Sequence, residues 1–310
     1  IGQLLSLIEV GNYDQVILLG DQFDSFSVIH SEILTLWTKF FKEAQRYSRV
    51  IALVGNHDLA GMDGGTNPME PFKSYENIWI IDILFDLDSF YYMPFMRNTA
   101  DFERMCSLIP KDAILFCHQS FNGAQFESGF YDPHGANPEC VSHLKAVIAG
   151  HCHMTQGVAN IWYPGTPYQM SFNDADQDKF IYEISLDNNG SQVLKKISLD
   201  MPKYSIIEAK TVSDMVDSLP EPEARTSYKL VAKGSAAEIT AFWNTDKAIR
   251  FRKESKRVVD AFIPESMSVL LPEVQAKSKE ERLDGFINSK TWRTSPGRVS
   301  TAAKNILASE

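Results

Sequence analysis

Four short apolar runs recur along the chain, and each one ends abruptly in glycine or in polar residues. They occupy residues 16–19, 50–54, 113–117 and 146–149. Runs without polar alternation are typical of strands buried on both faces, as in a parallel sheet. The pattern therefore predicts a parallel arrangement in which one sheet places the carboxyl ends of these strands side by side, where α/β proteins bind their ligands.

Side chains that can bind a metal or move a proton follow every one of these runs. They are Asp21 and Asp24, then Asn56, His57 and Asp58, then His118, and finally His151 and His153. Any single motif is weak evidence, because Asn and Asp in a turn often bond their own backbone. The fourfold repetition is far more specific and predicts a shared metal site. If β geometry continued through the last motif, its two histidines would point to one side, because they are two residues apart.

The remaining pattern predicts helices and strands that complete the domain. Apolar residues at helical spacing predict a helix over 29–44 that covers the sheet, and another over 99–109. Further strands are expected over 78–85, 90–95, 161–163, 179–187 and 191–199, the last two joined by an Asn-Gly turn.

Composition shifts after residue 201 and again after residue 263. Strands at 204–212 and 228–232 with two short helices, capped by Ser213 and by Ser235, predict a small α/β unit. A basic run at 247–257 suits either a solvated face or a phosphate track. In the tail, an apolar stripe at 299–307 predicts an amphipathic helix. The expected domains are 1–200, 201–263 and 264–310.

Net charge and cysteine content limit the functional classes. The chain of 310 residues carries a formal charge of −10, which argues against a naked nonspecific DNA binder unless bound metals or a partner supply positive charge. No apolar stretch approaches the roughly 18 residues of a membrane span. The four cysteines fit no zinc spacing, so we expect reduced, buried thiols and a cytoplasmic protein, in the host cytoplasm if the source is a phage.

The order Gly-Asp-x-x-Asp, Gly-Asn-His-Asp, a lone strand-end His and Gly-His-x-His resembles the calcineurin-like metallophosphoesterase superfamily. The segment Tyr-Pro-Gly-Thr-Pro-Tyr-Gln at 163–169 is similar to the SbcD-type nuclease subunits, which work with an SMC-like ATPase in double-strand-break processing. The resemblance covers residues 16 to about 186. It implies an α/β fold of two stacked mixed β-sheets flanked by helices, with a small α/β capping domain and a helical C-terminal tail.

The resemblance also implies roles for individual residues. Asp21 would bridge two divalent ions, Mn²⁺ foremost and otherwise Fe²⁺, Zn²⁺ or Mg²⁺. One ion would also be held by Asn56, His118 and His151, and the other by His153. An Asp-x-His motif that opens the family is absent, and we expect it upstream of Ile1, in a longer protein.

Catalytic and substrate contacts follow from the same resemblance. His57 would protonate the leaving 3′-oxygen, with Asp58 or Asp24 orienting it. Substrate contacts are expected from Tyr163, Gly165, Thr166 and Tyr168.

The predicted function is metal-dependent 3′–5′ DNA exonuclease activity, with endonuclease activity as an option. The C-terminal tail would bind an SbcC-type, SMC-like ATPase, with packing on its own chain as the alternative. A homodimer is a further expectation. Two alternatives remain open on the same fold. One is a phosphatase or small phosphodiesterase, and the other is a binding module without metal.

Overall fold

The computed structural model describes residues 1–25, 27–59, 66–87, 90–187 and 190–264. The predicted tail helix at 299–307 and the predicted turn at 188–189 lie outside these ranges. The helices and strands are α1 (Gly2–Gly11), β1 (Gln15–Leu18), α2 (Ser31–Ala44), β2 (Arg49–Leu53), β3 (Ile78–Ile81), β4 (Phe85–Leu87), β5 (Phe90–Met93), α3 (Thr99–Cys106), β6 (Ile114–His118), β7 (Ala146–Gly150), β8 (Gln156–Val158), β9 (Ile161–Tyr163), β10 (Ile181–Asp187), β11 (Gly190–Ile197), β12 (Lys203–Thr211), α4 (Val212–Ser218), β13 (Thr226–Gly234), α5 (Ala236–Trp243), α6 (Asp246–Glu254), β14 (Arg257–Asp260) and β15 (Ile263–Pro264).

The four predicted core strands divide between two sheets. β1, β2 and β3 form a parallel sheet in that order. The second sheet has the order β4-β5-β6-β7-β9-β8, with parallel pairing from β5 to β9 and antiparallel pairing at both edges. The expectation of one sheet with four adjacent strand ends was therefore wrong, whereas the mixed α/β class is confirmed. The predicted strand at 78–85 is interrupted between β3 and β4.

The two sheets share an apolar core. Ile51 and Leu53 of β2 lie in one buried cluster with Phe116 of β6 and Ile148 of β7. The alternate residues of the same strands turn to outer clusters, because successive strand side chains point to opposite faces. Since both faces of β2 and β6 are buried, their unbroken apolar sequences have a direct explanation.

Helix α2 covers the first sheet with only part of its predicted apolar face. Phe40, Phe41 and Ala44 are buried in the outer cluster. Ile33 and Leu36 are 41% and 44% exposed, so the amino-terminal half of the helix packs less closely than its periodicity predicted.

The segment predicted as a small α/β domain, residues 201–263, contributes β12, β13, β14 and the start of β15 to one four-stranded sheet. Its first helix is capped by Thr211, whose side chain accepts from the backbone of Asp214, and not by Ser213 as predicted. The reason is local: Thr211 has an acidic residue three positions later, which completes a capping box. The second predicted box, between Ser235 and Glu238, is confirmed.

By its internal contacts the chain forms two compact units. The first comprises Ile1–Ile206, Glu221–Lys229 and Arg252–Val259, and the second comprises Ile207–Pro220, Leu230–Phe251 and the described residues from Asp260 onward. The predicted domain limits stay predictions. Among the described residues, no helix has both the length and the apolar character needed to cross a membrane.

Candidate metal centre

Three candidate ligands from different strand ends meet in the first compact unit. Asp21 follows β1, His118 is the last residue of β6, and His151 follows β7. One ligand atom from each lies within 4.8 Å of the others. Asn56, which follows β2, completes the group, because its Oδ1 lies 2.8 Å from Nδ1 of His151 and 3.0 Å from Nε2 of His118. Both sheets thus contribute to one cluster.

The imidazole of His118 is held in the orientation of a metal ligand. Its Nδ1 donates to the backbone carbonyl of Leu19 at 2.6 Å, so Nε2 is left to face the cluster. A hydrogen bond to the ring nitrogen away from the site commonly fixes the tautomer of a ligating histidine. Nε2 lies 3.2 Å from Oδ2 of Asp21 and 3.3 Å from Nδ1 of His151.

This donor set fits a divalent cation. Nε2 of His118 lies 3.0 Å from Oδ1 of Asn56 and 3.2 Å from Oδ2 of Asp21, so two oxygen acceptors surround one ring nitrogen. A proton on Nε2 could satisfy one acceptor at a time, whereas a cation can satisfy all of them together. Oxygen and imidazole donors without thiolate suit Mn²⁺, Fe²⁺ or Zn²⁺.

Burial and neighbouring charges tune the ligands. Burial, and after it the charge of His118, lowers the pKa of His151 to about 4, so its ring is neutral near pH 7 and its lone pair is free to bind metal. Burial acts to raise the pKa of Asp21, but the hydrogen bond and charge of His118 and the amide of His57 outweigh it. The pKa of Asp21 is therefore lowered, and the residue is a carboxylate at neutral pH.

The glycines of two motifs make room for ligands of the neighbouring motifs. A Cβ on Gly55 would lie 2.1 Å from Oδ1 of Asp21, and one on Gly150 would lie 2.2 Å from the carbonyl oxygen of Leu19. Neither contact is possible between real atoms. The strand-end glycines therefore matter because the backbones carrying different ligands approach so closely.

Asp58 holds the loops that carry the ligands. It is completely buried, and its carboxylate accepts from the amides of Asp21 at 2.9 Å, Phe23 at 3.0 Å and Gly55 at 2.9 Å. Burial raises the pKa of Asp58, while the hydrogen bonds from the amides of Gly55 and Phe23 act to lower it. No contact to His57 is among its hydrogen bonds, so in this structure Asp58 connects the ends of β1 and β2.

His57 lies in an open cleft beside the cluster. Its Nδ1 donates to the backbone carbonyl of Asp24 at 2.9 Å, which leaves Nε2 facing outward, and its amide donates to Oδ1 of Asp21 at 2.9 Å. The predicted partner Asp24 thus orients His57 through its backbone and not through its carboxylate. The cleft has a volume of about 510 Å³ and is lined by Asp24, Ser25, Asn56, His57, Phe95 and Arg97.

Two residues of this cleft were missed from the sequence. Phe95 stacks on the ring of His151 with centroids 5.9 Å apart, and its amide donates to Val54 at the end of β2. Arg97 is exposed beside it, within a segment also tethered by the Met96 amide to Gln119. They belong to no ligand motif, and the only available signal was their position directly after strand β5.

His153 lies outside the cluster, contrary to the expected strand geometry. β7 ends at Gly150, and His151 has a left-handed φ of 88°, so the backbone turns before His153. Nδ1 of His153 lies 3.7 Å from Oε1 of Glu127. Its carbonyl accepts from the amide of Thr166 at 3.1 Å and from Nζ of Lys179 at 2.7 Å.

The four predicted substrate residues have different surroundings. Tyr163 is completely buried, and its hydroxyl accepts from the amide of Phe121 and donates to the carbonyl of Gln119. It is therefore a core residue here and not a surface that a substrate can reach. Gly165 has a φ of 78° and packs against the backbone of His153. Thr166 and Tyr168 are half-buried.

Known proteins similar to this chain bear on the site. A family model described as calcineurin-like phosphoesterase matches residues 1–176, which include the whole ligand cluster. Exonuclease subunit 1 of Enterobacteria phage T4 is 30% identical over 141 residues, which cover 41% of this chain and 39% of that protein. The match therefore spans well under two thirds of the phage protein.

Proposed function

The chain belongs to the calcineurin-like phosphoesterase family, a family of metal-dependent hydrolases, and from this membership we propose that it is a DNA exonuclease that hydrolyses phosphodiesters from 3′ ends. The observation that carries the proposal is the cluster of Asp21, His118 and His151 beside the cleft that contains His57. The similarity to a phage exonuclease subunit favours DNA over other phosphoesters.

Each residue of the cluster has a proposed task. Asp21, Asn56, His118 and His151 hold one divalent ion, with Mn²⁺ as our choice and Fe²⁺, Zn²⁺ or Mg²⁺ as competitors. Asp21 and His153 contribute to a second ion. Divalent ions supply positive charge at the phosphate and acidify the attacking water.

His57 supplies the proton for the leaving oxygen. Since the Asp24 carbonyl holds Nδ1, the outward Nε2 is the atom that delivers it. Imidazole suits this step because its ordinary pKa lies near neutrality. Arg97, at the rim of the same cleft, is placed to bind a phosphate of the substrate.

Further parts of the proposal concern partners and location. The tail at 264–310, of which only residue 264 is described, would bind an SMC-like ATPase of the SbcC type, and homodimerisation and endonuclease activity are secondary expectations. A cytoplasmic location would suit the four free cysteines.

The test measures metal binding and cleavage separately. Single-stranded DNA labelled at either end should be shortened from its 3′ end in Mn²⁺ and left intact with a chelator. Asp21→Ala should lose Mn²⁺ binding in calorimetric titration. His57→Ala should keep Mn²⁺ and lose about 10²–10⁴-fold in rate, the usual contribution of a general acid.

His30→Ala is the matched control, because His30 is exposed and makes no side-chain cap bond to α2. It should cleave at the wild-type rate. Hydrolysis of a phosphomonoester with DNA left intact would replace the proposal by a phosphatase. Absence of binding to Mn²⁺, Fe²⁺, Zn²⁺ and Mg²⁺ alike would replace it by a binding module.

A further inference from the structure

The two most exposed aromatic side chains among the described residues are adjacent. Phe130 is 75% exposed and Tyr131 is 64% exposed. Both lie in the turn that we call the aromatic hairpin, residues 124–132. Large exposed apolar side chains next to a functional site commonly mark a binding surface.

Hydrogen bonds within the aromatic hairpin and to a neighbouring segment hold it in place. The amide of Phe126 donates to the carbonyl of Phe130 at 2.9 Å, and the amide of Asp132 donates to the carbonyl of Ala124 at 2.9 Å. Gln125 exchanges two hydrogen bonds with the side chain of Gln156, at 2.7 and 2.8 Å. The exposed rings therefore have an ordered base.

The same hairpin contacts the metal centre. The ring of Phe126 packs edge-on against His151 with centroids 5.9 Å apart. Oε1 of Glu127 lies 3.7 Å from Nδ1 of His153. Phe130 and Tyr131 thus lie three to five positions beyond Phe126 and Glu127, which contact His151 and His153.

We propose that Phe130 and Tyr131 form a stacking platform for the nucleobases of single-stranded DNA next to the phosphate being cleaved. This inference rests on the proposed function and identifies residues that would bind the DNA substrate. Phe130 and Tyr131 are two separately exposed rings, so each can take its own base. Stacking is independent of sequence and does not need positive charge, which suits a chain of net charge −10.

The experiment measures equilibrium binding of fluorescent single-stranded DNA with phosphorothioate linkages, at several salt concentrations. The variant Phe130→Ala/Tyr131→Ala should bind at least about fivefold more weakly, the lower range for losing one stacked base. The slope of log K against log salt should not change, because no ionic contact is removed. By contrast, Arg97→Gln should make the slope shallower.

An abasic oligonucleotide identifies the contact. Wild-type protein should bind it more weakly than normal DNA, whereas the double variant should bind both equally. Phe130→Trp/Tyr131→Trp should restore binding to normal DNA, and Phe130→Leu/Tyr131→Leu should not. Leu108→Ala, which removes a side chain that is 66% exposed before β6, is the control and should bind like wild type.

Three results would overturn the stacking platform. The first is unchanged DNA binding by Phe130→Ala/Tyr131→Ala, and the second is equal rescue by Phe130→Leu/Tyr131→Leu. The third is a change in the sedimentation mass of the double alanine variant while it still binds DNA, because the two rings would then contact another protein chain. DNA binding is measured here without cleavage. A protein that lacks nuclease activity would therefore refute the proposed function, while the binding data would still test the stacking platform.

Discussion

Replacing Asp58 by alanine should strongly destabilise the protein and disorder the metal centre without removing any candidate ligand. Its carboxylate accepts from three backbone amides at 2.9–3.0 Å, two of them on the β1 loop and one on the β2 loop. A buried donor without an acceptor costs about 1–3 kcal/mol. Three such donors would cost roughly 3–9 kcal/mol by the same rule.

The lower end of that range is expected. Burial raises the pKa of Asp58, so the charged carboxylate is itself costly to bury and its removal recovers part of the loss. We expect Asp58→Ala to lower the free energy of unfolding by about 3 kcal/mol. Asp58→Asn keeps one acceptor oxygen and should lose about 1–2 kcal/mol.

Urea unfolding of chelator-treated protein, followed by tryptophan fluorescence, gives these values. Trp37 is a local reporter, because its indole donates to the carbonyl of Gln22 in the same loop at 2.7 Å. Mn²⁺ titration of the folded variants should show weakened binding in the same rank order. Asp86→Ala, at an exposed strand position, is the control and should unfold like wild type.

One outcome would refute this reasoning. If Asp58→Asn unfolded at the wild-type urea concentration and bound Mn²⁺ normally but no longer cleaved DNA, Asp58 would act in catalysis directly. The carboxylate would then not be the connection between the two loops.

Two more predictions concern a glycine of the ligand cluster and a buried ion pair. Gly55→Ala should abolish Mn²⁺ binding in calorimetry, because its Cβ would lie 2.1 Å from Oδ1 of Asp21, whereas Gly157→Ala, whose nearest neighbour is 3.7 Å away, should bind normally. Lys179→Met should lower the free energy of unfolding by about 3–5 kcal/mol, because it leaves the buried charge of Asp174 without its partner at 2.8 Å. Lys179→Arg should lose less in the same urea titration, and equal losses would exclude the ion pair as the cause.

Much of the candidate site was predictable from local sequence. A strand buried on both faces needs apolar residues at every position. The metal ligands follow each strand within a few residues, after a glycine or in a turn, so strand and ligand are close together in the sequence. This is why Asp21, Asn56, His118 and His151 could be named before the fold was known. The mixed α/β fold with two sheets followed from the resemblance that these motifs carry.

Tertiary structure decided what depends on partners distant in sequence. Strand patterns do not specify which strands pair, so the division of β1 and β2 from β6 and β7 was not visible. The role of Asp58 depends on amides up to 37 positions away. His153 leaves the cluster because a left-handed residue precedes it by two positions, and no side-chain periodicity encodes that turn.

The cleft residues show the same limit. Phe95 and Arg97 lie beside the cluster only because β5 pairs with β6, and Phe130 and Tyr131 only because their hairpin packs on His151. Local sequence determined which side chains could do the chemistry, since ligand type and strand period are short-range properties. The packing of two sheets decided which of them meet, because hydrogen bonds and ring contacts between remote segments form only in the folded chain.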